Sequence, residues 1–222
     1  MNISPLPRRP YPSSRFVYDF CWRWSRALAT VLGRARVHNL ERVPTEGPLL
    51  VAANHSSYLD PVFVGCVITR PTRYMAKDTL FRGPLGLLLP ALGAFPVKRG
   101  KTDPGAIRTA MRVLKDGQVL VLFPEGTRGE GDDLLDAQKG VGFLATRMGA
   151  TVVPCYLEGM SDVLGRGQKW FRRRQVEIVF GEPRSYGRED DPAEAAAEVV
   201  EELARLRASM GSLRLDRAIR VR

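Results

Sequence analysis

Histidine and cysteine are scarce in this sequence. Among 222 residues there are two histidines and three cysteines, Cys21, Cys66 and Cys155, which are far apart. Because no two cysteines have CxxC spacing and histidines are so few, no metal site is predicted. An odd number of scattered cysteines also does not make a disulfide framework. We expect reduced thiols that pack as small apolar side chains, in a protein that faces the cytosol.

Long apolar runs are absent as well. The longest uncharged run, residues 83–97, has 15 residues and contains three prolines, whereas a bilayer-spanning helix needs about 20 apolar residues. An apolar stretch at residues 16–32 is interrupted by Asp19, Arg23 and Arg26, and these charges do not fit the apolar region of a signal peptide. Neither a transmembrane helix nor a signal peptide is therefore predicted.

Acidic residues are outnumbered by basic ones. The chain has 34 Lys and Arg against 24 Asp and Glu, a net charge of +10, and the excess is concentrated near the amino terminus and in the arginine run at 172–174. This balance indicates an anionic partner, which is nucleic acid, a membrane surface or a phosphorylated substrate. Hydrophobic residues make up 44% and charged residues 26%, a composition that supports a packed core and excludes wholesale disorder.

Short apolar runs typical of buried strands alternate with helical patterns along the chain. Strands are predicted at 49–53, 73–76, 94–98, 118–123, 151–157 and 176–180. Helices are predicted at 60–68, 79–89, 103–117, 139–148 and from 191 onward, the second of them irregular because it contains Gly83-Pro84. Asp-Pro pairs open three of them. Pro154 inside a strand indicates an edge position or a bulge. The alternation predicts an α/β fold, a single domain with a mostly parallel central sheet flanked by helices.

The chain divides into three predicted segments. These are a flexible leader with an amphipathic helix in residues 1–36, the α/β core in residues 37–185, and a C-terminal helix with a basic tail in residues 186–222. The amino-terminal helix has an apolar stripe made of Phe16, Phe20, Trp24, Ala27, Leu28 and Val31. Two interpretations fit this stripe: the helix lies in the headgroup region of an anionic membrane, or it packs on its own domain.

A histidine and an aspartate stand close together after the first predicted strand, in the segment NHSSYLD at 54–60. Loops at the carboxyl ends of strands are where open α/β sheets place their sites. If Asp60 folds back onto one ring nitrogen of His55, the other nitrogen is able to take a proton from a hydroxyl. The alternative is a histidine in a turn and an aspartate that only caps the next helix. His38 has no carboxylate at a comparable spacing and is predicted to be a surface residue.

Two further segments carry groups suited to a phosphate. FPEGTR at 123–128 follows the strongest strand pattern, and GAFPVKRG at 93–100 ends a strand-like run in two cations. Glycine allows close backbone approach, a threonine hydroxyl donates, and arginine offers a planar fork. The candidate binding residues are Lys98, Arg99, Glu125, Gly126, Thr127 and Arg128. The alternatives are an ordinary charged turn and a solvated strand end.

Together, NHSSYLD, GAFPVKR, FPEGTR and VVPCYL occur in an order that resembles the glycerolipid acyltransferase family, whose members include 1-acyl-glycerol-3-phosphate (lysophosphatidate) acyltransferases. The resemblance covers residues 43–182. It implies that His55 is the general base and Asp60 its orienting partner. It also places Arg99 near the acceptor phosphate and implies acceptor binding by residues 125–128. Lys98 stands where an acidic residue is frequent, and Lys139 begins the Lys-Gly pair found in such proteins.

The resemblance implies transfer of an acyl chain from an acyl thioester, acyl-CoA or acyl-carrier protein, to the hydroxyl of lysophosphatidate, giving phosphatidate. Neither an acyl-enzyme nor a metal or organic cofactor is expected. The alternatives are another lysolipid acceptor (a lysophospholipid, a lyso-ornithine lipid or a glycolipid) or a non-catalytic basic module that binds anionic lipid or nucleic acid. With a lipid substrate, the amino-terminal helix is expected to act as a membrane-surface anchor. The expected location is the cytoplasmic face of the cell membrane, peripheral or monotopic, with no nucleic-acid partner.

Overall fold

The computed structural model describes residues 15–31, 34–83, 85–98, 103–124, 132–164, 170 and 172–220, which fold into a sheet covered by helices. The strands are β1 (Arg36–His38), β2 (Leu49–Ala53), β3 (Thr72–Lys77), β4 (Ala94–Val97), β5 (Val119–Leu122), β6 (Thr151–Glu158), β7 (Glu177–Phe180) and β8 (Arg184–Ser185). The helices are α1 (Arg15–Val31), α2 (Asp60–Val67), α3 (Leu85–Leu88), α4 (Pro104–Lys115), α5 (Asp132–Met148), α6 (Met160–Leu164) and α7 (Pro192–Arg220). Short 3₁₀ turns lie at Leu40–Arg42 and Asp78–Arg82.

The sheet is mostly parallel, with the strand order β1-β7-β6-β2-β5-β3-β4. β7 and β8 pair with β6 in the antiparallel sense, and the other strand pairs are parallel. β2 lies in the interior and is fully buried along its length. Its unbroken apolar sequence is what a strand covered on both faces requires. The predicted fold class is confirmed.

Helices cover the sheet in two layers. α1 and α2 pack on one face, where Phe63 and Val64 join the odd-numbered residues of β2 in one apolar cluster. α4, α5 and α7 pack on the other face, where Leu50 and Ala52 of β2 meet the buried residues of these helices. α5 and α7 approach so closely that a Cβ on Gly142 would overlap the carbonyl oxygen of Pro192. Each face thus has its own core, and the loops at the strand ends are left to form a site.

Of the two alternatives predicted for Pro154, an edge position or a bulge, the edge position is wrong. β6 is an interior strand, with β2 on one side and both β7 and β8 on the other. β8 pairs with Thr151 and Val152, whereas β7 pairs from Cys155 onward. Pro154 therefore falls where β6 changes partners, so the missing N–H is tolerated there. Its carbonyl still accepts a hydrogen bond from Gly181 N at 2.8 Å.

α1 packs on the domain with a face that the sequence pattern did not single out. Tyr18 and Ala29 are buried, and the Trp22 indole donates to the carbonyl of Ile68. The predicted apolar stripe faces away, since Phe16 is 79% and Trp24 is 64% exposed. Packing on the domain therefore does not cover the stripe. Within the part of the chain that the structure describes, no helix is long and apolar enough to cross a membrane.

Candidate active site

The loop that follows β2 is fixed to the neighbouring strand β6 by Asn54. Its side-chain amide donates to Leu157 O at 2.9 Å, and its side-chain carbonyl accepts from Leu157 N at 2.7 Å. This pair of bonds satisfies the buried backbone groups of Leu157 and extends the β2–β6 pairing by one side chain. The loop therefore leaves the carboxyl edge of the sheet in one defined direction. Sequence reasoning did not single out Asn54, although it opens the NHSSYLD segment.

His55 and Asp60 form a hydrogen-bonded pair within this loop. His55 Nδ1 lies 2.8 Å from Asp60 Oδ2, and the Asp60 side chain is 0% exposed. The same carboxylate oxygen accepts from the backbone amides of Ser56 at 2.6 Å and Ser57 at 2.8 Å. These donors, together with the first turn of α2, stabilise a negative charge that burial alone would disfavour. The prediction that Asp60 folds back onto His55 is confirmed.

Asp60 does not cap its own helix. α2 begins at Asp60, preceded by Leu59, with no side-chain cap. The two other Asp-Pro aspartates behave differently: the carboxylate of Asp103 accepts from Gly105 N and Ala106 N, and that of Asp191 accepts from Ala193 N. The carboxylate of Asp60 instead points back towards the loop. The alternative in which it only caps the helix is therefore wrong.

The imidazole of His55 is held on one face by a stacked aromatic ring and at its edge by Asp60. Its ring stacks on Phe123, with centroids 4.3 Å apart and planes at 26°, and its side chain is 14% exposed. Phe123 directly follows β5, the strand beside β2. Because Asp60 accepts the Nδ1 proton, Nε2 of the neutral ring carries the lone pair. The pair is therefore arranged to accept a proton at Nε2 and to stabilise the resulting imidazolium.

A model of the acyltransferase family matches residues 34–158, which include this loop and both members of the pair. The chain belongs to the acyltransferase family. Among its relatives is the 1-acyl-sn-glycerol-3-phosphate acyltransferase of Bacillus subtilis, which is 30% identical over 169 residues covering 75% of this chain and 82% of that protein. The human 1-acyl-sn-glycerol-3-phosphate acyltransferase beta is also 30% identical, and the match covers 65% of this chain and 54% of the human protein.

Two further similarities bear on the fold and on the acceptor. The lyso-ornithine lipid O-acyltransferase of Rhizobium meliloti is 36% identical over 117 residues, which cover 51% of this chain and 39% of that protein. The crystal structure of the 1-acyl-sn-glycerophosphate acyltransferase PlsC from Thermotoga maritima superposes with a TM-score of 0.69 at 22% identity, covering 86% of this chain and 78% of that one. The structural likeness shows that this acyltransferase shares the fold of that protein.

The predicted substrate-binding residues are only partly within the described structure. Arg99, Glu125, Gly126, Thr127 and Arg128 lie outside the described residues. Lys98 is exposed just beyond β4, and its backbone amide donates to Asp103 Oδ2 at 3.0 Å. Lys139 is exposed on α5. The chain enters the FPEGTR motif at Phe123, which touches the His55 ring, so this motif begins beside the pair.

The buried thiols of this acyltransferase are unsuited to nucleophilic chemistry. Burial, together with the negative charge of Asp60, raises the pKa of the Cys155 thiol far above its ordinary value. Burial raises the pKa of Cys66 to about 12, and Cys21 on α1 is half-buried. A protonated thiol is a weak nucleophile. Among the described residues, no group of three His, Cys, Asp or Glu side chains is gathered as a metal site would require.

The prediction that His38 is a surface residue is wrong. His38 Nε2 lies 2.7 Å from Glu177 Oε2, and Glu177 is buried. The two residues are 139 positions apart, so no short sequence spacing announces the pair. They meet because β1 pairs with β7, and Gln175 Nε2 also donates to the other oxygen of Glu177. His38 is thus a partly buried residue of β1 that is paired with Glu177. It lies outside the loop that follows β2.

Proposed function

We propose that this acyltransferase moves an acyl chain from an acyl thioester, acyl-CoA or acyl-carrier protein, to the free hydroxyl of lysophosphatidate. The product would be phosphatidate, an intermediate of phospholipid biosynthesis. The observation that carries the proposal is the hydrogen-bonded pair of His55 and Asp60 at the carboxyl edge of the sheet. The names of the Bacillus and human relatives, both 1-acyl-sn-glycerol-3-phosphate acyltransferases, support this acceptor.

The chemistry follows from the orientation of the imidazole. In the proposed reaction, His55 Nε2 takes the proton of the acceptor hydroxyl while that oxygen attacks the thioester carbonyl carbon. The tetrahedral intermediate collapses, the carbon–sulfur bond breaks, and the imidazolium returns its proton to the departing thiolate. Asp60 stabilises the imidazolium between these two steps. This route forms no acyl-enzyme, in keeping with the raised pKa values of Cys66 and Cys155, and no metal or organic cofactor enters it.

Acceptor binding is proposed for the cationic and glycine-rich motifs. Arg99 and Arg128 are suited to the phosphate by their planar, bidentate donors, with Lys98 and Lys139 as further cations. Glu125, Gly126 and Thr127 are proposed to contact the glycerol backbone or the phosphate. Support comes from the resemblance of these motifs to the family pattern and from the position of Phe123, which brings the start of FPEGTR against the His55 ring.

Peripheral attachment to the cytoplasmic face of the cell membrane is proposed because a lysolipid acceptor resides in a bilayer. The exposed apolar side chains of α1 support this location: Phe16, Phe20, Trp24 and Val31 are all uncovered while the opposite face of the helix packs on the domain. Interfacial helices expose such a stripe to the acyl chains and keep their cations at the headgroups. A nucleic-acid partner is not proposed.

The acceptor is tested by a panel with one fixed acyl-CoA. Release of free CoA thiol is measured with lysophosphatidate, lysophosphatidylcholine and lyso-ornithine lipid as alternative acceptors for the purified protein. We expect the highest kcat/KM with lysophosphatidate. A preference for lyso-ornithine lipid would favour the second candidate function, which the 36% identity to the Rhizobium protein supports. Absence of thiol release with every acceptor would contradict the proposal as a whole.

A further inference from the structure

A group of exposed arginines has no role in the proposed chemistry. It consists of two arginines that follow α1, three that precede β7, and one tryptophan beside them. We name this group the arginine surface; its members are Arg34, Arg36, Trp170, Arg172, Arg173 and Arg174. All six are exposed, and the Trp170 side chain is 82% exposed. Trp is enriched at interfaces, so a large exposed Trp side chain beside a group of cations makes this surface a candidate interaction site.

The two parts of the arginine surface are adjacent in space although distant in sequence. Arg36 N donates to the carbonyl of Val176 at 2.9 Å, two residues beyond Arg174, and Arg36 pairs with Glu177 in the β1–β7 ladder. Ala35 N donates to the carbonyl of Ala29 in α1 at 3.2 Å. Backbone bonds therefore join the end of α1, the start of β1 and the arginine run before β7. The backbone segments that carry these cations therefore lie side by side.

The charges of the arginine surface are not neutralised within the described residues. No ion pair joins any of the five arginines to a described carboxylate, and the acid nearest in the ladder, Glu177, is buried and bound to His38 and Gln175. Five cations at short range repel one another unless an external anion lies against them. The arginine surface is therefore suited to a partner that presents many negative charges over an area.

The adjacent apolar stripe decides which polyanion fits. The exposed side chains of α1 extend to Val31, three residues before Arg34, so the stripe and the arginine surface are adjacent in the chain. Trp170 adds an aromatic side chain of the kind enriched at membrane–water interfaces. Nucleic acid and acidic proteins match the cations but not an adjoining row of Phe16, Phe20 and Trp24. An anionic bilayer matches both, with headgroups at the arginines and acyl chains at the stripe.

Hydrogen bonds also fix the arginine surface relative to the candidate active site. Arg172 N donates to the carbonyl of Val163 in α6 at 2.9 Å, and the next carbonyl, that of Leu164, accepts from Ser57 Oγ at 2.7 Å. Ser57 N in turn donates to Asp60 Oδ2. A continuous series of contacts thus runs from the arginine run to the His55–Asp60 pair. A partner surface that binds the arginines would therefore also fix the orientation of the His55–Asp60 pair relative to that partner.

We propose that the arginine surface binds the headgroup layer of an anionic bilayer and thereby keeps the carboxyl edge of the sheet, with His55, beside that layer. Its consequence for catalysis rests on the proposed function, because only a membrane-borne acceptor gains from such placement. Binding itself does not depend on that function. Anionic lipid then lowers the KM for a vesicle-borne acceptor and leaves kcat unchanged.

The test compares two variants of the full chain that lose the same charge. In the first variant, Gln replaces Arg172, Arg173 and Arg174. In the second, Gln replaces Arg108, Arg112 and Lys115, which are exposed on α4 over the opposite face of the sheet. Each variant is sedimented with vesicles of phosphatidylcholine alone and of phosphatidylcholine and phosphatidylglycerol in equal amounts. We expect the first variant to lose roughly tenfold to a hundredfold in binding to the anionic vesicles, and the second to lose about twofold or less.

Activity provides the second readout. With lysophosphatidate in the anionic vesicles, the first variant should show a raised KM and the wild-type kcat; with lysophosphatidate in neutral detergent micelles it should match the wild type. Equal binding of both variants to anionic vesicles, or equal loss by both, would overturn the proposal. A defect seen only with acyl-carrier protein as donor would also overturn it and indicate an acidic protein partner. If the wild type releases no thiol, the proposed function fails, while the vesicle comparison still decides the arginine surface.

Discussion

Both histidines of the chain lie against a carboxylate, at almost the same distance. His55 Nδ1 is 2.8 Å from Asp60 Oδ2, and His38 Nε2 is 2.7 Å from Glu177 Oε2. In each pair the carboxylate is buried. The contact distance alone therefore does not distinguish the two pairs. Any difference in their roles must come from their surroundings.

The surroundings differ in which nitrogen is engaged and where the pair lies. His55 bonds through Nδ1, the nitrogen near its own backbone, and lies in a loop at the carboxyl edge of the sheet, so Nε2 is the ring nitrogen farther from the main chain. His38 bonds to Glu177 through Nε2. Its other ring nitrogen, Nδ1, is the one next to its own main chain within strand β1. Asp60 also accepts two backbone amides, whereas Glu177 accepts from the side chain of Gln175. Geometry beyond the contact distance thus separates a candidate catalytic pair from a structural one.

The largest expected effect comes from removing each imidazole in turn. His55→Ala eliminates the proposed general base, so we expect kcat for thiol release to fall by roughly a thousandfold. His38→Ala is the matched control and should keep kcat within about twofold of the wild type, since no proposed step involves it. Purified variants are compared at saturating acyl-CoA and lysophosphatidate, with circular dichroism to check folding. Substantial turnover by His55→Ala would contradict the assignment, as would an equal loss by His38→Ala.

The next effect comes from neutralising the two carboxylates. Asp60→Asn keeps the size of the side chain but removes the charge that stabilises the imidazolium, so kcat should fall by about a hundredfold. KM for the acceptor should remain near its wild-type value, because Asp60 acts through His55 and not on the substrate. Glu177→Gln should change neither constant by more than about twofold. A rise in KM with unchanged kcat for Asp60→Asn would show a structural role and not an electrostatic one.

The different visibility of the two pairs in the sequence has a physical cause. His55 and Asp60 are five residues apart, in one loop directly after a buried strand, so strand periodicity and local spacing suffice to predict their contact. His38 and Glu177 are brought together by pairing of β1 with β7. β1 has three residues and β8 two, too short for an alternation pattern, and neither was predicted. Contacts that depend on such pairings need the assembled sheet.

Two other segments show what local patterns omit. The helical spacing of Phe16, Phe20 and Trp24 predicted α1 and its stripe, but periodicity does not tell which face packs on the domain; Tyr18 and Trp22 take that role through hydrogen bonds to Thr72 and Ile68. The irregular helix predicted at 79–89 is a 3₁₀ turn followed by the short helix α3, a division that the sequence did not locate. Pro84, within that segment, disfavours a continuous helix.

A smaller effect on kcat is expected from replacing Phe123, whose ring stacks on His55. Phe123→Leu keeps an apolar side chain but removes the stacking surface beneath His55. Stacking contributes about 0.5–1.5 kcal/mol, so kcat should fall by roughly twofold to tenfold. Phe95→Leu is the control, a buried phenylalanine in the opposite core, which should lower thermal stability with little change in kcat. An unchanged kcat for Phe123→Leu would show that the stacked ring does not contribute to orienting the imidazole.

The smallest effect is the contribution of the His38–Glu177 pair to stability, and a double-mutant cycle isolates it. His38 is 24% exposed while Glu177 is 6% exposed, so solvent screens the contact only in part. We expect a coupling free energy of about 0.5–1.5 kcal/mol between His38→Ala and Glu177→Gln, measured by urea unfolding. Because β1 is short and lies at the edge of the sheet, this contact is among the few that hold it to β7. A coupling free energy of zero, with activity unchanged, would mean that β1 is held by its backbone ladder alone.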